Sequence, residues 1–519
     1  MKISQVKISN FRSYFNEVVI NFNNLTAFVG KNDVGKSTVL EALDFFFNEG
    51  KGVIKKLDTD DINKQCAQNR NQDIRISVVF ENLPTEIVID NSNTTTLSNE
   101  YLLTNDNNLE IIKVYPSAGK EKVFIKAYHP TNPECADLLH KKQADLRKII
   151  DAKAITGADK NKNASMRQAI WRDYSSDLQL VDVEVDVSKV DEKNVWNQLK
   201  NYMPLYSLFQ SDRKNGDGDS EIQDPMKLAT QEILKDASII DALNDVAEKV
   251  NERLREVASG TCEKLREMNP EIAQTLSPVI PSSESLKWID VFKNVSISSD
   301  DNIPLNKRGS GVKRLVLLNF FRAEAERRKS DRNVPDVIYA IEEPETSQHP
   351  DHQKKLIEAL ITLSQVDHTQ VILTTHSPSL VKMLNFEHLR LIQNNIGSKE
   401  IVAIEQHELP YPSLNEVNFL AFAEANEEYH NELYGFIEYQ EWLSEYKIGK
   451  TVVSYIKDFK GVISNLQLIR SEYIRHQIHH PENTHNPKYT VEELRVPIQE
   501  MRAFIQNKQV IDQTQRQAA

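Results

Sequence analysis

The apolar positions of the chain change rhythm twice. Leu25-Thr26-Ala27-Phe28-Val29 is a continuous β-prone run, and Val6-Lys7-Ile8, Val18-Val19-Ile20-Asn21-Phe22 and the alternating Ile74 to Phe80 are further strand patterns. Asn91 to Asn108 is polar and rich in Asn and Thr, which predicts an exposed turn or loop. From Glu221 to Met268 the spacing becomes helical, with Leu228, Ile233, Leu234, Ile239, Leu243, Val246, Val250, Leu254, Val257 and Leu265 among Lys and Glu. A helical subdomain and a coiled-coil arm both fit that spacing. Strand character returns at Trp288–Phe292, Val295–Ile297, Val337–Ile341 and Val371–Thr374, short β-branched runs suited to central parallel strands. Helical patterns at Val312 to Arg328 and His352 to Leu363 separate them. The expectation is an α/β domain made of residues 1–135 and 285–410, split by a helical insertion over 136–284. An all-helical C-terminal domain over 425–519 completes it.

With 519 residues, the chain is too long for one core. Its composition, 39% hydrophobic and 27% charged, fits a soluble globular protein, and no apolar run approaches the length of a membrane span. The N-terminus opens into a strand pattern without a signal region, and Cys66, Cys135 and Cys262 are scattered, so a reduced, cytoplasmic location is expected. A net charge of −13 does not advertise nucleic-acid binding by the chain as a whole, although a local basic groove remains compatible with it.

Candidate chemistry begins at Gly30-Lys31-Asn32-Asp33-Val34-Gly35-Lys36-Ser37, a full match to the phosphate-binding loop pattern between a strand and a helix. Such a loop aims backbone N–H groups and a helix N-terminus at phosphate. Gly30, Asn32, Gly35, Lys36, Ser37 and Thr38 are therefore candidate ATP-binding residues, with Lys36 on the β- and γ-phosphates and Ser37 on Mg²⁺. The strand Val337–Ile341 ends in Glu342-Glu343, where one carboxylate can hold Mg²⁺ and the next can activate water. Glu at 342 departs from the Asp usual at that place. His376, in Thr374-Thr375-His376-Ser377-Pro378 after the next strand, can hydrogen-bond a γ-phosphate or position water. Ser310-Gly311 precedes a helical stretch and forms a second anion cradle, which closes most simply on the ATP of a partner chain.

This set resembles the ABC-type ATPase head of the SMC, RecF and OLD families (the AAA_15/AAA_21-like group). The lead-in Ile8-Ser9-Asn10-Phe11-Arg12-Ser13-Tyr14 resembles theirs, which implies that Arg12 approaches the nucleotide. Glu342-Glu343-Pro344-Glu345 with His349-Pro350, then Thr375-His376-Ser377-Pro378, is most similar to the OLD-like branch, including the ATPases of the anti-phage systems Gabija, Septu and PARIS. The resemblance implies ATP and Mg²⁺ as cofactors, a homodimer of heads or a higher oligomer, and a sensor or regulatory role in antiviral defence. No Asp-x-Asp strand of a TOPRIM nuclease comes after His376, so a separate nuclease effector is expected. No membrane partner is expected.

The tail adds Arg475-His476-Gln477-Ile478-His479-His480 at the end of a helical pattern starting near Val462. It resembles the Arg-x(4–6)-His motif of HEPN domains. That likeness implies Arg475 on a phosphate oxyanion and His480 shuttling a proton during RNA cleavage. The regulatory ATPase then has two rivals. One is an ATPase-restrained HEPN ribonuclease cutting tRNA, the other a RecF/SMC-like DNA-repair ATPase.

Overall fold

The computed structural model describes residues 1–32, 34–49, 57–65, 73–89, 94–116, 120–187, 193–210, 230–268, 321, 323, 336–346, 349–395, 398–403 and 413–518. The expected strands at 288–297, most of the expected helix at 312–328, and Ser310-Gly311 lie outside them.

Two six-stranded sheets make the head. The first is antiparallel and runs β2 (Val18–Asn21), β1 (Lys2–Ser9), β4 (Ile74–Glu81), β7 (Leu109–Tyr115), β8 (Lys122–Pro130), β9 (Leu180–Asp186). The second runs β10 (Leu205–Phe209), β11 (Val337–Glu342), β12 (Thr369–Thr375), β3 (Leu25–Val29), β13 (Leu389–Asn395), β14 (Ser398–Ala403). Its first five strands are parallel, and β14 is an antiparallel edge. A two-residue pair, β5 (Ile87–Val88) with β6 (Thr94–Thr95), stands apart.

Strand alternation explains how the second sheet is buried on both faces. Leu25, Ala27, Val29, Tyr339, Ile341, Val371 and Leu373 share one core with Leu356, Leu360 and Leu363 of the helix Pro350–Ser364 and with Val417. Phe28, Ile338, Ala340 and Ile372 join a second core with Val39, Leu40 and Leu43 of helix α1 (Lys36–Asn48) and the first sheet. Each fully buried side chain of the Val, Leu, Ile or Phe size contributes about 1.5–3 kcal/mol. The sheet is therefore a stiff platform between two cores.

Three expectations need correction. The segment 136–284 is not purely helical: it supplies β9 to the first sheet and β10 to the second. The pattern Leu180-Val181-Asp182-Val183-Glu184-Val185-Asp186 alternates as an edge strand does, with Arg75 reaching Glu184 at 2.6 Å. The long helix Ala237–Met268 is present as expected, leaving Ile239, Val246 and Val250 exposed. Second, Asn91–Asn108 is not simply an exposed loop, because Leu97, Glu100 and Leu102 within it are buried. Glu100 is held by Arg167 at 2.7 Å.

Third, the C-terminal domain is not all-helical. Its own core, built on Tyr429, Leu433, Ile437, Tyr473, Ile474, Ile498 and Met501, packs against the hairpin β15 (Val452–Phe459) and β16 (Val462–Ile469). The helix expected from Val462 begins at Arg470 and ends at His479. Lys460 (φ +53°) and Gly461 (φ +84°) form a two-residue turn with positive φ at both positions, which sets the strand twist of a hairpin.

Candidate nucleotide-hydrolysis site

Strand β3 delivers the loop at Gly30 to the N-terminus of α1. Gly35 has φ +103°, and a Cβ there would lie 2.8 Å from Ser13 Oγ, 3.3 Å from Tyr14 Oη and 3.4 Å from Lys399 Nζ. The loop is thus gripped between the turn after β1 and the β13–β14 hairpin, and Tyr14 Oη donates to Gly35 O at 3.0 Å. Burial pushes the Tyr14 phenol well above its usual pKa, so it stays a donor. Helix α1 has no side-chain N-cap and no acidic residue in its first turn. Its leading N–H groups and positive dipole end are therefore suited to an anion. The buried Lys36 ammonium donates to Gly30 O at 2.8 Å and Lys31 O at 2.7 Å. Asn32 is exposed on the loop, and Thr38 is buried in the first turn.

The carboxylates arrive from neighbouring strands. Glu342 pairs in register with Thr374, and Thr375 with Val29, so β11, β12 and β3 end at one edge. There Ser37 Oγ donates to Glu342 Oε1. Glu343 sits at φ +42°, a left-handed conformation costing a non-glycine residue on the order of 1–3 kcal/mol. Its N–H is held by Thr374 O and Thr374 Oγ1, each at 3.1 Å. His376 Nδ1 lies 3.2 Å from Glu343 Oε1 and 3.5 Å from Glu345 Oε1, ion-pair distances without hydrogen-bond alignment. His349 plays a different part: it caps the helix Pro350–Ser364, accepting from Asp351 N at 3.4 Å.

Arg12 also has a left-handed backbone, φ +48°. Its Nε donates to Asp61 Oδ1 at 2.7 Å and its Nη1 to Glu41, one turn beyond Ser37 on α1. Burial works against the Arg12 charge, but Glu41 and Asp61 outweigh it and raise its pKa. Glu41 also accepts from Gln210 at 3.3 Å, at the end of β10. Gln210, Glu345 and Lys399 reach the site although none was a candidate from sequence. Glu345 at least adjoins a motif. Gln210 and Lys399 are lone polar residues in otherwise ordinary stretches, and only the strand order places them here.

Among the described residues, no group of three or more His, Cys, Asp or Glu side chains is placed to hold a metal alone. A hard cation would instead take Ser37 and Glu342 together with nucleotide oxygens, the habit of Mg²⁺. The donor set fits that ion.

The tail pair does not converge. Arg475 lies over Tyr434 at 4.3 Å and pairs with Glu438 at 3.2 Å, both on the helix Glu427–Tyr439. His480 stacks on His476, which leans on Tyr455 of β15, and pairs with Glu482 at 3.2 Å. The two side chains share no partner among the described contacts.

Comparison with known proteins places this geometry in context. The family described as AAA ATPase domain (AAA_15) matches residues 1–381. Endonuclease GajA of Bacillus cereus (strain HuB5-5) is 23% identical over 415 residues, 73% of this chain and 56% of that protein. The OLD nuclease of Thermus scotoductus is 30% identical over 110 residues, 21% of this chain and 20% of that protein. The chain therefore spans about half or less of these relatives. The SMC head domain from Thermotoga maritima is 16% identical, covering 78% of this chain and all of that one, at a TM-score of 0.32. Likeness at that level carries no functional conclusion. Among the described residues no helix is long and apolar enough to cross a membrane.

Proposed function

The chain belongs to the AAA ATPase domain family, and from that premise we propose that it binds ATP with Mg²⁺ at Gly30–Ser37 and hydrolyses it to ADP and phosphate. The observation that carries this is the meeting of Ser37, Glu342, Glu343 and His376 at one sheet edge. Gly30, Asn32, Gly35 and Thr38 line the cradle with backbone N–H groups, and Lys36 turns from its two carbonyl partners to the phosphates. Arg12 stiffens the outer wall through Glu41. Ser37 and Glu342 would hold the cation, which would neutralise charge developing on the transferred phosphoryl group. Glu343, strained and fixed by Thr374, accepts a proton from the attacking water. His376 orients that water or the terminal phosphate. Ser310-Gly311 of a second head closes the site.

We extend the reading to a regulatory subunit of an anti-phage system, whose hydrolysis controls nucleic-acid cleavage by a separate effector. The curated relatives are nucleases by name, which supports nucleic-acid cleavage as the activity under control. Purified protein with Glu343→Gln should lose ATP turnover by about 100-fold or more while still binding ATP and accumulating as a closed dimer. Turnover at the wild-type rate overturns the assignment. Plasmid or RNA cleavage that requires a co-purified partner and responds to ATP supports the regulatory role; cleavage by the chain alone removes it.

A further inference from the structure

Glu345 is the most enclosed carboxylate at the strand ends, its side chain 5% exposed against 25% for Glu343. Its Oε1 accepts from Thr375 Oγ1 at 2.6 Å and from His376 N at 3.0 Å, and lies 3.5 Å from His376 Nδ1. Its Oε2 is buried without a hydrogen-bond partner. Gln353 Nε2 donates to the Glu345 carbonyl at 3.1 Å, tying this turn to the helix Pro350–Ser364. A neutral amide oxygen at 345 would serve the Thr375 hydroxyl and the His376 N–H equally well. The amide NH2 group would take the place of Oε2, which is buried without a partner, so glutamine keeps the Oε1 contacts and loses only the negative charge. What only a carboxylate supplies is a second anionic acceptor beside the imidazole.

We infer that Glu345 is the positioning residue that fixes the ring of His376, acting with Glu343 as a two-carboxylate clamp on Nδ1. This rests on the proposed ATPase activity. Carboxylates only accept, so a closed clamp requires the N–H tautomer at Nδ1. Nε2 is left as the nitrogen that meets the terminal phosphate or the attacking water. Because Glu345 also holds the His376 main chain, ring and backbone are fixed from one point. Loose contacts at Nδ1 then tighten when nucleotide binds.

Full-length Glu345→Gln is expected to lower kcat about 10- to 100-fold with the Kd for ATP unchanged, as for a misplaced reacting group. In a His376→Ala background the same change is expected to alter kcat by no more than about twofold, because both act through one imidazole. A merely structural role would give losses that add. Thr375→Val removes the hydroxyl that anchors Glu345 Oε1 at nearly constant volume. It runs the same cycle independently should Glu345→Gln fail to fold. Wild-type kcat in the folded variants, or losses additive with His376→Ala, overturns the assignment. A wild-type protein that binds no ATP removes the ATPase activity, and this assignment with it.

Discussion

Ser37 and Glu342 are 305 residues apart in sequence and hydrogen-bonded, whereas Arg475 and His480 belong to one helix end and face different elements. The contrast comes from geometry. A parallel sheet brings the C-terminal ends of all its strands to one edge, so the loops leaving β3, β11 and β12 open onto a common space. A helix turns about 100° per residue, so positions five apart diverge by about 140°. Here His480 also lies beyond the last helical residue, His479. Distant residues are thus brought together in the head by topology, while Arg475 and His480 in the tail contact different neighbours.

The largest expected effect tests the head. Lys36→Ala removes a buried ammonium at the heart of the loop and should weaken ATP binding by about 100-fold or more, since a charge-assisted contact is worth about 1.5–3 kcal/mol and Lys36 can make more than one. Titration calorimetry reads this directly. Substitutions at Arg475 or His480 should leave the same isotherm unchanged, and a parallel loss there would erase the distinction between the two regions.

The tail should in turn respond to acid through one buried histidine. His430 on the helix Glu427–Tyr439 is fully buried, and neither ring nitrogen finds an aligned partner. Burial lowers its pKa to about 4; Asn431 opposes this, while Arg475 and His479 add to it. The unfolded chain therefore binds a proton below about pH 6.5 that the native tail refuses. Stability is full above that pH and is lost as pH falls toward 4, by about 3 kcal/mol in all. The protection factor of the helix Glu427–Tyr439 against hydrogen exchange should fall between pH 7 and pH 5, and His430→Phe should flatten that dependence. Unchanged protection in the wild type would contradict it.

Smaller still is the hairpin turn. An added Cβ at Gly461 meets nothing within 4 Å, so Gly461→Ala isolates the cost of its φ of +84°. Roughly 1 kcal/mol of local stability should be lost, read as faster exchange in β15 and β16 with no change in ATP turnover.

These regions were legible to different degrees. The loop, β3, β4, β11, β12 and the acidic strand end could be read because continuous β-branched runs next to fixed-spacing motifs leave little choice of structure. The hairpin could not. Val462, Ser464, Leu466 and Leu468 alternate, but the Lys460-Gly461 turn that gives that alternation meaning is only two residues and lacks Asn or Asp. Glu100 was hidden in a polar stretch because its partner Arg167 lies 67 residues away, and burial of a charge depends on that partner rather than on neighbours. Gln210 carried no local signal, since its relevance comes from β10 lying beside β11.

The smallest effects fall on the pair that first suggested a ribonuclease. Arg475→Ala removes a guanidinium lying over Tyr434 and a half-exposed pairing with Glu438, worth together about 1 kcal/mol of tail stability. His480 is 54% exposed, and its partner Glu482 is more exposed still, so His480→Ala should stay within about 0.5 kcal/mol of wild type. A catalytic pair would behave otherwise: either substitution alone would abolish RNA cleavage while leaving folding intact. Among the described contacts Arg475 is turned to the helix Glu427–Tyr439 and His480 toward β15 by way of His476 and Tyr455, so the two side chains share no partner there. Equal and complete loss of RNA cleavage by the intact chain in both variants would show that the tail rearranges into a site, and the contrast between the two regions would fall with it.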